Sequence, residues 1–207
     1  MPSLEVTTNF FLVLTLLADA AVVATVLFAL ACAVSPAARR AWVAMAEWLG
    51  PQSLLLAWIV SVVTTAGSLW YSEHFHFVPC ELCWYQRILM YPLVVILGVG
   101  WFRRDRSAWI TALPFLVIGP LVSLYHWLVE RVPSFAESTS CSIDAPCSAP
   151  YFEKLGFVTL AWMCLSSFLL IGSLLAFYVT SSRAEPAPEG DDDRARADAE
   201  PVTTVPA

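Results

Sequence analysis

The chain has 207 residues, of which 58% are hydrophobic and 14% are charged, and its mean hydropathy is +0.69. This composition lies far outside the range of ordinary globular domains and excludes a water-soluble fold. The formal net charge of −6 comes in good part from an acidic stretch after residue 181, so it says little about the apolar part. The sequence therefore predicts an integral membrane protein.

Five apolar stretches are long enough to cross a membrane. A transmembrane helix needs about 20 mostly apolar residues to cross roughly 30 Å of hydrocarbon. Such stretches lie near residues 10–34, 53–72, 84–102, 108–128 and 156–180. Lipid cannot satisfy free backbone amides, and none of these stretches shows the alternation of a barrel strand. The predicted fold is all-α, an integral membrane helical bundle with five transmembrane helices.

The first apolar stretch could be mistaken for a secretion signal, but two features favour a true membrane helix. Residues 1–9 contain no Lys or Arg, whereas a signal peptide begins with a basic segment. The stretch is also longer than the apolar core of most signals. It contains one acidic residue, Asp19, which we expect to face the bundle interior or the outer interface.

The orientation of the bundle follows from its basic residues. Most of them fall in three segments, between spans one and two, between spans three and four, and after span five: Arg39, Arg40, Arg103, Arg104, Arg106, Arg183, Arg194 and Arg196. Basic loops stay on the cytoplasmic side, so the N-terminus is predicted to lie outside.

Two cysteine pairs then face outward. Cys80 and Cys83 form a C-x-x-C motif at the start of span three, where free amides and the helix dipole favour a thiolate. Arg87 follows Cys83 by four residues and shares its helix face, so the guanidinium is expected to favour Cys83 as the anion. A second pair, Cys141 and Cys147, lies in the only long outer loop. Outside the cytoplasm both pairs are free to form disulfides.

Each of these residues has an ordinary explanation when it is taken alone. An arginine near the end of a membrane helix often anchors it at the headgroups, and a lone C-x-x-C motif can bind zinc or form a structural bridge. Two other classes of protein therefore stay open. One is a metal-binding membrane protein that uses Cys80, Cys83, His74 and His76. The other is a structural subunit whose cysteines only staple its loops.

The sequence around the first pair resembles a known signature. The run C-E-L-C-W-Y-Q-R-I-L-M-Y-P, from Cys80 to Pro92, is similar to that of the DsbB/BdbC disulfide-bond formation proteins. Three later features continue the likeness: Tyr125-His126, the loop with Cys141 and Cys147, and the segment 151–157. The resemblance covers roughly residues 53–180. The short spacing between the loop cysteines indicates the short-loop branch of this family.

The resemblance implies a membrane thiol:quinone oxidoreductase that supports disulfide formation in exported proteins. Such a protein is expected to reoxidise a DsbA-like, thioredoxin-fold thiol oxidase and to pass the electrons to membrane quinone, either ubiquinone or menaquinone. Its expected partners are that oxidase, the quinone pool with the respiratory chain, and membrane lipid, with no nucleic acid and no metal. The expected location is the bacterial inner or plasma membrane, with the redox cysteines on the extracytoplasmic face.

The resemblance also implies roles for individual residues. A reduced partner is expected to attack Cys141 and to displace Cys147. Cys147 then attacks Cys80 and leaves Cys83 as a thiolate against the quinone. The residues expected to bind the quinone are Arg87, His126, Trp84 and Tyr85.

Composition, hydrophobic length and the resemblance together divide the chain into three parts. Residues 1–50 are expected to hold an extra N-terminal transmembrane helix and a cytoplasmic loop, residues 51–180 a four-helix DsbB-like core, and residues 181–207 a disordered acidic cytoplasmic tail. In the related vitamin K epoxide reductase class, the loop cysteines precede the C-x-x-C motif. Here they follow it, which argues against that class.

Overall fold

The structure is a computed structural model that describes residues 3–105, 107–137, 141 and 146–184. These residues form six helices: α1 Leu4–Val34, α2 Pro36–His74, α3 Glu81–Arg103, α4 Ala108–Arg131, α5 Pro133–Glu137 and α6 Leu160–Ala184. All of them except α5 are long and apolar enough to cross a membrane. The predicted all-α membrane bundle with five spanning helices is therefore confirmed.

The connection between α1 and α2 is a single residue, Ser35, whose backbone is extended. Its hydroxyl oxygen accepts a hydrogen bond from the Ala38 amide at 3.3 Å, and Pro36 suits the first helical turn that follows. Arg39 Nε donates to the Cys32 carbonyl at 2.7 Å and so satisfies the end of α1. The segment that the sequence analysis assigns to a cytoplasmic loop is thus helical from Pro36 onward, because these caps let α2 begin at once.

The core of the bundle lies where α2, α3, α4 and α6 meet. Leu93 and Leu97 of α3 and Phe168 and Ile171 of α6 are fully buried there. Gly119 of α4 allows the Phe168 ring to approach its backbone, because a Cβ at that position would collide with the ring. This packing holds the ends of α3 and α4 in fixed positions relative to α6.

The turn between α3 and α4 is tight, as the sequence predicts. Arg104 adopts the left-handed conformation that ends α3. Asp105 accepts hydrogen bonds from the amide and the hydroxyl of Ser107 at 2.8 and 2.6 Å, and these bonds lower the pKa of the Asp105 carboxyl. The helices are therefore antiparallel neighbours. Of the predicted acidic tail, residues 185–207 lie outside the described residues, and α6 continues to Ala184.

Candidate functional site

The first cysteine pair lies at the start of α3, as the spacing predicts. Cys80 is the residue that caps the helix, and its Sγ accepts a hydrogen bond from the Cys83 amide at 3.3 Å. Both cysteines are free, and their Sγ atoms are 2.7 Å apart. This geometry leaves the two sulfurs within reach of a disulfide with little movement of the backbone.

His126 of α4 lies against this pair. Its Nε2 is 3.6 Å from the Cys80 Sγ, and its side chain is buried. The hydrogen bond from the Cys83 thiol and then the neighbouring His126 lower the pKa of Cys80 to about 4, although burial acts in the opposite direction. These interactions favour Cys80 as the anion of the reduced pair. The spacing of Arg87 instead favours Cys83 as the anion. A sequence cannot show that His126 faces the Cys80 sulfur.

A buried carboxyl group lies behind His126. Glu130 follows one helical turn later, and its Oε1 is 3.9 Å from the His126 Nε2. Thr159, just before α6, donates a hydrogen bond to the Glu130 Oε2 at 2.6 Å. The His126 Nε2 thus lies near both the Cys80 sulfur and the Glu130 carboxyl group. Sequence reasoning missed Glu130, because it resembles an ordinary charged residue at the end of a membrane helix.

Arg87 lies one turn below Cys83 and is held by two serines of α2. Its Nε donates to the Ser68 hydroxyl at 3.1 Å, and its Nη2 donates to the Ser68 carbonyl at 3.1 Å and to the Ser72 hydroxyl. The guanidinium also lies over the Trp84 ring, 5.3 Å from the ring centroid. Its position is therefore fixed by α2, which no motif in the sequence indicates.

The second cysteine pair is a disulfide between Cys141 and Cys147. Cys147 is buried and packs in one apolar cluster with Cys80, Leu82 and Val129. The structure therefore brings the two predicted pairs together at the same end of the bundle. Within this loop, residues 142–145 lie outside the described part of the chain.

The segment after Cys147 is fastened to the segment before Cys80. The Tyr151 hydroxyl donates a hydrogen bond to the Val78 carbonyl at 2.7 Å, and the Tyr151 ring stacks on Phe77 at 4.1 Å. Further along, the Trp127 indole donates to the Phe157 carbonyl at 2.9 Å. These contacts hold the loop against the segment before α3 and against α4.

A cavity of about 400 Å³ lies between α1, α2, α3 and α6, next to the first pair. Cys83, Gln86 and Arg87 line it on one side, and most of its other walls are apolar. Among the residues that the structure describes, the buried Gln86 Nε2 has no hydrogen-bond partner. The cavity therefore offers the Arg87 guanidinium as a hydrogen-bond donor to a ligand that is otherwise apolar.

The four predicted quinone-binding residues do not all lie at this cavity. Arg87 lines it, whereas His126, Trp84 and Tyr85 do not. Trp84 and Tyr85 are 52% and 45% exposed, and the Tyr85 hydroxyl donates to Glu81 at 2.7 Å. Trp84 therefore reaches the cavity only indirectly, through its contact with the Arg87 guanidinium.

The four residues of the predicted metal site are not brought together. His74 stacks on Trp70, with ring centroids 4.7 Å apart, and does not join the cysteines. The set of potential ligands found among the described residues is Cys80, Cys83 and His126, whose donor atoms lie within 4.8 Å of one another. This set differs from the predicted one because α4, rather than the loop after α2, faces the sulfurs.

Comparison with known proteins identifies the same region. The model of the family described as Disulfide bond formation protein DsbB matches residues 50–178. Disulfide bond formation protein C of Bacillus subtilis is 44% identical over 118 residues, which cover 57% of this chain and 86% of that protein. A probable disulfide formation protein of Oceanobacillus iheyensis is 48% identical over 119 residues, or 57% of this chain and 82% of that protein.

A probable disulfide formation protein of Coxiella burnetii is 39% identical over 134 residues, which cover 63% of this chain and 91% of that protein. No solved structure matches the chain. The matched residues include both cysteine pairs, Arg87 and His126, and they exclude α1. The family match and the high coverage of these relatives agree with the membrane bundle and its paired cysteines, and the chain therefore belongs to the DsbB family of disulfide bond formation proteins.

Proposed function

We propose that this protein is a quinone-dependent thiol oxidase of a bacterial plasma membrane. It reoxidises a DsbA-like, thioredoxin-fold oxidase on the extracytoplasmic face and passes two electrons to membrane quinone. One observation supports this proposal most strongly. A disulfide and a dithiol lie in one cluster, and Cys83 of the dithiol also lines an apolar cavity beside Arg87.

The first step is an exchange with the partner. A thiolate of the reduced partner attacks the Cys141 sulfur and breaks the bond to Cys147, which leaves as a thiolate. The second partner thiolate then attacks the mixed disulfide, so the partner gains a disulfide and Cys141 and Cys147 become a dithiol. The partner loses two electrons in this step, and the loop pair gains them.

The second step is an exchange between the two pairs of the chain. Cys147 attacks the Cys80 sulfur of an oxidised first pair, and Cys83 leaves as a thiolate. Closure of the Cys141–Cys147 bond then releases Cys80. The loop pair is a disulfide again, and the first pair holds the electrons, which is the arrangement of bonds in the structure.

The charge within the first pair changes its place during these exchanges. In the dithiol the anion lies on Cys80, where Cys83 and His126 stabilise it. While Cys80 is bonded to Cys147, the charge lies on Cys83 instead, one turn from the Arg87 guanidinium. His126 and Glu130 are placed to take up and return the proton that such a shift requires.

The cavity suits a quinone. A bound quinone supplies an acceptor for two electrons and two protons, and its oxidising power exceeds that of nicotinamides, as the regeneration of a strongly oxidising partner requires. Arg87 would donate a hydrogen bond to a carbonyl oxygen of the quinone, and Cys83 lines the same cavity. The apolar walls exclude water from this site.

Zinc binding is a second candidate function, and one observation favours it. Cys80, Cys83 and His126 offer three donor atoms within 4.8 Å, and zinc commonly takes thiolate and imidazole ligands. A metal bound there would block the sulfurs that the exchange needs.

One experiment separates these functions. Purified protein in nanodiscs is mixed with a reduced DsbA-like dithiol protein and with a ubiquinone or a menaquinone analogue, and the loss of quinone absorbance is followed. We expect one quinone reduced for each partner disulfide formed, with less than stoichiometric zinc. Stoichiometric zinc with no turnover on either quinone would overturn the proposal. Labelling of intact cells with an impermeant maleimide tests whether Cys80 and Cys147 face outward after reduction.

A further inference from the structure

Helix α1 lies outside the residues that match the family, yet it forms one wall of the cavity. Five of its side chains line the cavity: Phe11, Leu14, Thr15, Leu17 and Ala18. Thr15 and Ala18 are buried, although most of α1 is exposed on the surface of the bundle. The cavity is thus incomplete without a helix that the family core does not include.

Two polar contacts hold α1 on either side of this wall. Asp19 accepts hydrogen bonds from the Trp162 indole at 3.0 Å and from the Ser166 hydroxyl at 2.5 Å, both on α6. Toward the other end, Tyr71 of α2 donates to the Thr8 hydroxyl at 3.4 Å. An acidic side chain in a membrane helix is costly without such partners, so Asp19 strongly favours the docked position of α1.

Between these contacts, α1 reaches the element that holds Arg87. The Phe11 ring lies directly against Gly67, where any side chain would collide with it, and is 5.8 Å from the Tyr71 ring. The next residue, Ser68, accepts two of the hydrogen bonds that fix Arg87, one at its hydroxyl and one at its carbonyl. The part of α1 that lines the cavity therefore packs against the same turn of α2 that holds the Arg87 guanidinium.

The cavity is also polarised along its length. The charged guanidinium of Arg87 lies on its α3 side, and hydroxyl groups of α2 and α6 also line it. The α1 side offers apolar side chains and Thr15, whose hydroxyl is already bonded to the Phe11 carbonyl. A ligand with a polar ring and an apolar chain would satisfy both sides at once. Such a ligand is a lipid-soluble quinone, whose ring would occupy the α3 side.

We propose that the cavity-lining side chains of α1, at positions 11, 14, 15, 17 and 18, bind the apolar chain of the quinone and close the side of the site that would otherwise face the bilayer. This inference rests on the proposed function, and it adds a binding element that lies outside the family core. It makes α1 a determinant of which quinones the protein accepts.

The test compares two neighbouring positions of α1. Leu14→Trp places a large ring in the cavity, whereas Val13→Trp places the same ring on a side chain that is 56% exposed and does not line it. We expect Leu14→Trp to raise the KM for a long-chain quinone about tenfold or more, and to raise it less for a chainless analogue, because a hydrophobic pocket discriminates by this order. The KM for the dithiol partner should stay the same. Val13→Trp should behave as the unmodified protein does.

A second measurement needs no variant and no turnover. A quinone with a photoreactive group on its chain is irradiated with the unmodified protein, and the labelled peptides are mapped by mass spectrometry. We expect label within residues 11–18, and an excess of unlabelled quinone should remove it. A photoreactive fatty acid serves as the control, and its label should not be displaced by quinone.

The outcomes distinguish the two proposals. If the unmodified protein reduces no quinone, the proposed function fails, and the role of α1 fails with it. If the protein turns over but Leu14→Trp matches Val13→Trp and quinone displaces no label from residues 11–18, only the role of α1 is overturned. Label that quinone cannot displace would indicate that ordinary lipid fills this part of the cavity, which also overturns the role of α1.

Discussion

The two cysteine pairs are positioned by different means. Cys80 and Cys83 belong to the first turn of a helix, so their separation follows from helix geometry and from a cap that Cys80 itself provides. Cys141 and Cys147 belong to a loop that is held in place by contacts with other elements, such as the bond between Tyr151 and Val78. The first pair is thus set by local structure, and the second by tertiary structure.

This difference matches their proposed tasks. A pair that exchanges with a soluble protein must be accessible, and a loop can present it to a partner. A pair that delivers electrons into the membrane must be held against a fixed charge and an apolar cavity, and the start of α3 provides both. A variant that affects one pair and not the other should therefore slow either the exchange with the partner or the transfer to quinone, but not both.

The largest effects are expected from the cysteines themselves. Cys83→Ser and Cys141→Ser should each lower steady-state oxidation of the partner at least about a thousandfold, because neither variant retains a complete relay. They should differ in a single turnover. Cys83→Ser should still oxidise one equivalent of partner through its loop disulfide, whereas Cys141→Ser should not. Rapid acid quenching with thiol counting measures this difference, and partner oxidation by Cys141→Ser at the normal rate would contradict the relay.

Arg87→Gln should have the next largest effect, and only on the first pair. Loss of a positioned donor to a developing negative charge typically lowers kcat by about a hundredfold or more. The exchange between partner and loop disulfide should not change, since the hydrogen bonds and the ring contact of Arg87 among the described residues are with α2 and Trp84. Ser72→Ala, which removes one support of the guanidinium, is the graded control. Equal losses in both exchanges for Arg87→Gln would indicate a damaged fold instead.

The third prediction concerns the pKa of Cys80. Because that pKa is lowered to about 4, the thiolate is present above this pH and is lost as the pH falls through it. Alkylation of reduced Cys80 by iodoacetamide should therefore stay fast at pH 6. His126→Ala should raise the pKa, and each unit above the test pH lowers the thiolate fraction about tenfold. Mass spectrometry of the alkylated peptide measures the rate, and an unchanged midpoint in the variant would contradict the role of His126.

The spacing of residues within one helix explains why part of this site is readable from sequence. Cys80, Cys83 and Arg87 lie three and four residues apart, and α-helix geometry alone places them together. Hydrophobic length likewise predicts five spanning helices, and the structure confirms them. Local rules are sufficient wherever the neighbours in space are also neighbours in the chain.

Features that depend on contacts between helices were not readable in this way. Ser68 and Glu130 become functional candidates only when α2 and α4 are seen to face α3. The wall formed by α1 is a stronger case, because a helix that is apolar on every side has no pattern to show which face meets the bundle. Asp19 is the charged residue that marks that face, and its partners on α6 are more than a hundred residues away in the chain.

Glu130→Gln should lower kcat for quinone reduction less than His126→Ala does. The amide oxygen can still accept the hydrogen bond from Thr159, so the fold should be retained, but the group can no longer exchange a proton with His126. We expect kcat for quinone reduction to fall roughly three- to tenfold, which corresponds to about one hydrogen bond. The shape of the pH profile of kcat should also change, whereas a purely structural role would leave that shape as it is. Steady-state assays across pH measure both.

The smallest effect is expected where the loop meets the first pair. Tyr151→Phe removes the hydrogen bond to the Val78 carbonyl but keeps the ring on Phe77, so the loss should be about 0.5–1.5 kcal/mol. Exchange between the two pairs should slow roughly two- to fivefold, and alkylation of reduced Cys80 should not change. Tyr85→Phe is a matched control, because its hydroxyl also makes a 2.7 Å bond but to Glu81, away from the loop. If both variants slow the exchange equally, the loop is not positioned by Tyr151, and the disulfide must be brought to Cys80 by other contacts.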